Sequence, residues 1–127
     1  MRNKIDSRIP QYSNLIMPTF IALKKLGGSG TNDEILNQVI NDLNLPDEVA
    51  DITHNGNVNQ SELSYRLAWA RTYLANYGAI QNSARSVWSI TPDFVSVDVL
   101  DEKEVVAFVV KKNAEKKSRI SKFKQPK

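Results

Sequence analysis

The sequence contains no cysteine and only one histidine, His54. Disulfides, thiolate metal sites and thiol nucleophiles are therefore excluded, and a lone histidine without a second histidine or a cysteine does not build a metal centre. The glycine-rich stretch at residues 27–30 lacks the following lysine and hydroxyl residue of a phosphate-binding loop, so it is predicted to be a turn. We predict no metal, no cofactor and no small-molecule substrate.

Long apolar runs are also missing. The longest, residues 15–23, is interrupted by Pro18 and Thr19, ends at two lysines and lacks a small-residue cleavage site. It fits neither a signal peptide nor a membrane span. We predict a cytoplasmic protein without a targeting segment and without a membrane partner.

The chain has 127 residues, of which 41% are hydrophobic and 24% are charged. These fractions are ordinary for soluble globular proteins, and the length suits one compact domain with a core. Most enzymes with separate cofactor and substrate domains are thereby excluded.

The net charge of +3 is unevenly distributed. Residues 111–127 hold eight basic side chains and one acid, for a charge of +7, whereas residues 1–110 hold nine basic and thirteen acidic side chains, for a charge of −4. The basic segment at residues 111–127 has two open interpretations: it contacts nucleic-acid phosphates, or it is a solvated linker to another domain.

Capping signals predict the first two helices. Ser13 is the expected N-cap of a helix that continues to about Leu26 and stops at the following glycines. Thr31 and Glu34 form a capping box ahead of apolar residues at helical spacing, which predicts a second helix from about residue 32 to residue 43. A short acidic helical turn is expected at residues 46–52, followed by a loop at residues 54–57.

The third predicted helix spans residues 60–77 and ends at Gly78. Its buried stripe is expected to contain Leu63, Leu67, Ala70, Leu74 and Tyr77. Two strand-like runs, residues 79–82 and 87–91, flank a turn-forming stretch at residues 83–86 and predict a β-hairpin. A fourth helix is predicted from Asp101, paired with Glu104 in a capping box, to about Lys117; whether residues 95–99 form a strand stays open.

Three helices followed by a two-stranded hairpin are typical of a winged helix-turn-helix, in which the third helix enters the major groove. The predicted fold class is therefore α+β, mostly helical, with an additional C-terminal helix. We divide the chain into a flexible N-terminus (residues 1–8), a winged-helix domain (9–93), a C-terminal extension that is helical from about 101 (94–117) and a disordered basic tail (118–127).

Several strings give the chain a resemblance to a known family. They are Ile9-Pro10-Gln11-Tyr12, Leu15 to Leu23 with Pro18 inside, Arg66-Leu67-Ala68-Trp69-Ala70-Arg71-Thr72-Tyr73-Leu74, Gly78-Ala79-Ile80, and Arg85-Ser86-Val87-Trp88-Ser89-Ile90-Thr91. In these residues the chain resembles the N-terminal domain of Mrr-type restriction endonucleases over roughly residues 9–91. The chain departs from the family at the wing turn, where it has Ser86 instead of glycine, and at residues 92–94, which contain no glycine.

The resemblance implies a winged helix that precedes a nuclease domain in a prokaryotic restriction system and recognises DNA, often modified DNA. The nearest nuclease-like string here is Asp101 with Glu115, Lys116 and Lys117, on a predicted solvated helix, so we expect no catalytic residues. The chain is either a fragment of a larger enzyme or a free-standing relative. Alternatives are a winged-helix transcriptional regulator and a protein-interaction or dimerisation module; a nuclease partner and a homodimer stay open.

The candidate contacts with double-stranded DNA share short, hydroxylated or basic side chains on the third helix, the wing and the start of the basic segment. They are Ser61, Ser64, Tyr65, Arg66, Ala68, Arg71, Thr72, Arg85, Ser86, Lys111 and Lys112.

Four of the nearby residues have competing interpretations. Arg66 either clamps a phosphate or pairs with Glu62 four residues earlier, whereas Arg71 has no acid at that spacing and is the better candidate contact. Trp69 is expected to pack against the domain rather than stack on DNA. Trp88 is in phase with Ile90 and is expected in the core.

Overall fold

The computed structural model describes residues 8–124, including the side chains of residues 8–116. Within this part the chain is α+β and mostly helical, as predicted, and it contains two small antiparallel sheets. Most of the predicted flexible N-terminus (residues 1–7) and the end of the basic segment (125–127) lie outside the described residues. The elements are α1 (Tyr12–Lys25), β1 (Ser29–Thr31), α2 (Asn32–Leu43), α3 (Asp47–Ala50), β2 (Thr53–His54), β3 (Asn57–Ser61), α4 (Glu62–Tyr77), β4 (Ile80–Ala84), β5 (Val87–Ile90), a 3₁₀ turn (Pro92–Phe94) and α5 (Glu102–Lys124).

Helix α1 begins two residues before the predicted position. Its N-cap is Gln11, which makes no side-chain capping bond, so the prediction that Ser13 is the N-cap was wrong. Pro18 lies inside the helix without ending it. The helix ends before the glycines, as predicted. Gly27 and Gly28 adopt φ values of +92° and +103°, which a residue with a Cβ seldom adopts.

The capping box of α2 is confirmed. The Thr31 hydroxyl accepts a bond from the Glu34 amide, and the Glu34 carboxylate accepts one from the Thr31 amide. The acidic turn is α3, and the loop after it is the turn of a hairpin between β2 and β3. This hairpin is missing from the sequence prediction, and it takes up the start of the third predicted helix, which begins at Glu62 instead of residue 60.

The predicted C-terminal hairpin is present as β4 and β5, but it belongs to a three-stranded sheet. Strand β1 pairs with β5, which gives the order β1-β5-β4. The 3₁₀ turn follows β5, and residues 95–99 form no strand.

Helix α5 begins as predicted but continues farther. The Asp101 carboxylate accepts bonds from the amides of Lys103 and Glu104. Glu104 does not complete a capping box, because its carboxylate accepts a bond from the Tyr77 hydroxyl at 3.0 Å. The helix extends to Lys124, past the predicted end near Lys117 and into the segment predicted to be disordered.

The core lies where α1, α2, α4, the three-stranded sheet and the start of α5 meet. The predicted stripe of α4 is buried at Leu63, Leu67, Ala70 and Leu74, and Tyr77 is half-buried. It packs with Leu15, Ile16, Phe20 and Leu23 of α1, Ile35 and Val39 of α2, Ile80 and Ile90 of the sheet, and Val105 of α5. Burial of this stripe fixes which side of α4 remains outside. In the part of the chain described, no helix is long and apolar enough to cross a membrane.

Candidate nucleic-acid interface

The outer face of α4, opposite the core, consists of Ser64, Tyr65, Ala68, Trp69, Thr72 and Asn76. Trp69, Thr72 and Asn76 are exposed, and the other three are half-buried. The Thr72 hydroxyl donates to the carbonyl of Ala68 at 3.0 Å, which leaves its methyl group and a hydroxyl lone pair available. Apart from Trp69, the face carries short or hydroxylated side chains, so a nucleic-acid groove can approach the helix closely.

The beginning of α4 is held by the hairpin in front of it. The Ser61 hydroxyl is the N-cap and accepts a bond from the Ser64 amide at 3.0 Å, so this predicted contact residue also has a structural role. The His54 ring stacks on Tyr65 with 3.6 Å between ring centroids and 14° between ring planes. The hairpin therefore fixes Tyr65 on the outer face.

His54 and the β2–β3 hairpin are not among the predicted site residues. The available signal was the Asn55-Gly56 pair, which is typical of a two-residue hairpin turn; both residues have positive φ here. The hairpin places Val58, 84% exposed, ahead of the N-terminus of α4.

Arg66 follows the ion-pair interpretation. Its Nε donates to Glu62 at 2.7 Å, and its Nη1 donates to the carbonyls of Ile9 and Pro10, each at 3.0 Å. These bonds attach the segment before α1 to α4. Arg66 has a structural role in this arrangement and is not free to clamp a phosphate.

Glu62 is 7% exposed and is held from two sides. His54 Nδ1 donates to one carboxylate oxygen and Arg66 Nε to the other, both at 2.7 Å. Burial raises the pKa of Glu62, but the bonds and charges of His54 and Arg66 outweigh burial and hold that pKa below its ordinary value. The carboxylate therefore stays ionised inside the domain.

Arg71, the better candidate contact of the two arginines, lies at the junction of α4 and the sheet. It is only 8% exposed, and its guanidinium lies over the Trp88 ring, 5.8 Å from the ring centroid. Burial lowers the pKa of Arg71 below its ordinary value. No carboxylate of the described residues pairs with it, and its Nε has no hydrogen-bond partner there. A buried cation without an internal counter-charge is costly unless an anion binds from outside.

Trp88 connects α4 to the sheet and to α2. It is half-buried against the core, in phase with the buried Ile90, close to the predicted position. Its indole N–H donates to the Asn32 side-chain oxygen at 2.8 Å. Trp88 therefore contacts Arg71 with the face of its ring and Asn32, at the N-terminus of α2, with its indole N–H.

The turn between β4 and β5 projects Arg85 and Ser86 into solvent. Ser86 adopts φ +60°, so the left-handed conformation for which the family uses glycine is present here in a serine. The Ser86 carbonyl also accepts a bond from the Asn32 amide at 3.0 Å. The turn is thereby tied to α2 while Arg85 stays exposed.

The basic segment starts on α5, beside the C-terminal end of α4. Lys111 is exposed, whereas Lys112 Nζ donates to the Asn76 carbonyl at 3.4 Å and lies over the Phe108 ring. Lys112 therefore stabilises the C-terminal end of α4, where a cation is favourable.

Trp69 is 47% exposed, so the prediction that it packs into the domain was wrong. It lines a pocket with Gln11, Tyr12, Glu62, Tyr65, Arg66 and Tyr73. The Tyr12 and Tyr73 rings pack with centroids 5.0 Å apart. The sequence analysis did not single out Gln11, Tyr12 or Tyr73 as site residues, because no local pattern brings α1 to this flank of α4.

The nuclease-like string does not converge on one site. Asp101 caps the start of α5, and Glu115 is exposed on the same helix, about 20 Å farther along its axis. Among the residues that the structure describes, no cluster of histidine and carboxylate side chains is suited to hold a metal ion.

Comparison with protein families gives one match. The model of the Mrr N-terminal domain matches residues 12–97, about two thirds of the chain and the whole stretch from α1 through the 3₁₀ turn. Searches of curated proteins and of solved structures found no match. The matched stretch includes α4, the three-stranded sheet and both hairpins, so the chain belongs to the Mrr N-terminal domain family.

Proposed function

We propose that this chain binds double-stranded DNA as the recognition part of an Mrr-type restriction system and has no nuclease activity of its own. Three features support the proposal: membership of the Mrr family, the outer face of α4, and the exposed turn of the β4–β5 hairpin. The element order supports it as well, because α1, α2 and α4 followed by the β4–β5 hairpin are in the order typical of a winged helix. Here α3 and the β2–β3 hairpin lie between α2 and α4, the helix that we assign to recognition.

In this arrangement α4 lies in the major groove. Tyr65, Ala68 and Thr72 face the base edges. Ser61 and Ser64, at the start of α4, lie near the sugar–phosphate backbone of the DNA. Arg85 at the hairpin turn reaches a phosphate or the adjacent minor groove. The contacts form one continuous surface from the β2–β3 hairpin to the β4–β5 hairpin.

The observation that carries the proposal is the buried, unpaired guanidinium of Arg71. Its burial and its position over Trp88 hold a positive charge at the junction of α4 and the sheet, and no acid of the described residues neutralises it. Trp88 in turn is tied to the first residue of α2 through its bond to Asn32. A backbone phosphate supplies the missing negative charge.

Fluorescence anisotropy with a labelled duplex over a salt series tests this function. We expect Arg71→Gln to weaken binding several-fold and to flatten the slope of log affinity against log salt by about 1, because one phosphate contact is lost. Arg71→Lys keeps the charge, so we expect it to retain most of the salt slope. Melting curves confirm that each variant is folded.

Lys103→Gln is the matched control, since it removes one positive charge from the first turn of α5, where Lys103 lines a pocket with Ser13 and Asn14 of α1 and not with residues of α4. We expect it to bind the duplex like the parent chain. Absence of binding by the parent chain at low salt would refute the proposed function. Equal losses for Arg71→Gln and Lys103→Gln would show that Arg71 acts only through net charge.

A further inference from the structure

The pocket beside the outer face of α4 has a volume of about 460 Å³, within the usual range for small-molecule sites. It lies between the start of α1, which provides Gln11 and Tyr12, and the flank of α4 that carries Tyr65, Trp69 and Tyr73. Tyr65 and Trp69 belong both to this pocket and to the outer face. The pocket therefore opens beside the surface that the proposed function assigns to DNA.

Aromatic side chains are concentrated at this pocket. Three of the four tyrosines and one of the two tryptophans in the chain line it. Trp69 is 47% exposed although a packed position is normal for tryptophan in a small domain. Rings of this kind offer flat surfaces on which another planar ring can stack.

The walls of the pocket are held in place before any ligand arrives. His54 stacks on Tyr65, and the Tyr12 hydroxyl lies 3.4 Å from the Tyr73 hydroxyl. Arg66 ties the segment before α1 to the pocket floor through the carbonyls of Ile9 and Pro10. Because the pocket is formed before binding, its side chains lose little conformational entropy when a ligand enters.

The charges of the pocket indicate what kind of ligand fits. Among the described residues, the charged side chains that line it are Glu62 and Arg66, which neutralise each other at 2.7 Å. The described lining therefore carries no net charge that would attract an isolated phosphate or a cation. The Gln11 side chain is exposed and makes no hydrogen bond within the described part of the chain, so its amide can donate to and accept from a ligand edge. The pocket suits a neutral, planar ring with hydrogen-bonding groups on its rim.

We propose that the pocket receives one nucleobase rotated out of the duplex that lies against α4. This inference rests on the proposed DNA binding and adds a second mode of contact to it. Trp69 stands at the boundary between the groove and the pocket, where it stacks on the base and shields it from water. The base edge meets the Gln11 amide and the tyrosine hydroxyls. Such extrusion is favoured where the base is already poorly paired.

The test compares three fluorescein-labelled duplexes of the same sequence, each about two helical turns long: one fully paired, one with a central mismatch and one with a single bulged adenine. We expect the parent chain to bind the bulged duplex about tenfold more tightly than the paired one, because the bulge removes the cost of unpairing. The mismatched duplex should fall between them. Anisotropy titrations at one salt concentration give the three affinities.

Trp69→Ala should abolish the preference for the bulged duplex, and Trp69→Phe should retain part of it. Phe108→Ala is the control, because it removes another half-exposed aromatic ring, from α5, and should leave the preference unchanged. Equal affinity of the parent chain for all three duplexes overturns the base pocket but leaves duplex binding standing. A preference that survives Trp69→Ala also overturns it. Failure to bind any duplex refutes the proposed function itself.

Discussion

At the scale of single residues, Glu62 shows how one buried carboxylate organises the start of α4. It connects His54, which supports Tyr65, with Arg66, which anchors the segment before α1. The pattern of Glu62 and Arg66 four residues apart was visible in the sequence. Its surroundings were not, because His54 and the carbonyls of Ile9 and Pro10 reach this pair only after the chain has folded.

The lowered pKa of Glu62 makes stability depend on pH. Because this pKa is lower in the folded chain than the ordinary value of 4.5, the ionised carboxylate stabilises the fold above about pH 4.5, and this contribution disappears as pH falls through the folded pKa. Glu62→Gln should lower the free energy of unfolding at pH 7 by about 1–2 kcal/mol and lessen its decline in acid. Urea titrations at pH values from 7 to about 3 measure both effects.

Glu115→Gln, at an exposed position on α5, is the control variant. Its free energy of unfolding should equal that of the parent chain at every pH. If Glu62→Gln loses stability in acid as steeply as the parent chain does, the assigned role of the carboxylate is wrong.

Arg71 and Trp69 show that a helical wheel does not predict how deeply a side chain is buried. The wheel gives the angle of each side chain about the axis of α4, but it does not show which neighbouring element covers that angle. Trp88 of the sheet covers Arg71, whereas Trp69 stays 47% exposed beside the start of α1. The wheel therefore did not show that the predicted contact Arg71 is buried, or how much of Trp69 stays exposed.

At the scale of elements, the helices that are marked by capping residues and apolar periodicity in the sequence were predicted well. Neighbouring residues are enough to predict the capping box of α2, the apolar stripe of α4 and the glycine that ends α4. Strand β1 was missed because residues 29–31 have no apolar alternation, and the strand exists only through its pairing with β5. Pairing between distant segments is a tertiary event that a local pattern does not encode.

The β4–β5 turn gives a prediction at this scale. Ser86 has φ +60°, a conformation that costs a residue with a Cβ about 1 kcal/mol relative to glycine. We expect Ser86→Gly to raise the free energy of unfolding by about 0.5–1 kcal/mol, after allowance for the greater freedom of glycine in the unfolded chain. Urea titration at pH 7 measures the change.

Ser83→Gly places the same substitution three residues earlier, within β4, where it should destabilise the chain. A loss of stability from Ser86→Gly would show that the serine hydroxyl matters more than the backbone conformation.

At the scale of the whole molecule, the charge separates into an acidic part and the basic segment at residues 111–127. The acidic part contains the outer face of α4, so the DNA binding that we propose there would depend on a few placed cations, Arg71 and Arg85 among them, rather than on net charge. The basic segment continues α5 beyond the core contacts of Val105 and Val109, and its helix reaches Lys124. Whether this segment joins in binding is a separate question from the role of α4.

Removal of the residues after Val110 addresses that question. We expect the shortened chain to bind duplex DNA with a salt slope at least about 2 smaller, because several phosphate contacts are lost together. The core residues of α5 stay in place, so the fold should be retained. Anisotropy over a salt series measures the slope, and an unchanged slope would identify the segment as a linker.

The sequence by itself determined the helices, the β4–β5 hairpin, the buried face of α4 and the family to which the chain belongs, because periodicity, caps and short motifs are local properties. Only the tertiary structure decided that Arg66 is tied down, that Arg71 is buried without a counter-charge and that four aromatic rings meet in one pocket. The physical reason is that burial and pairing depend on what packs over a side chain, and here the packing partners come from α1, the β2–β3 hairpin and β5.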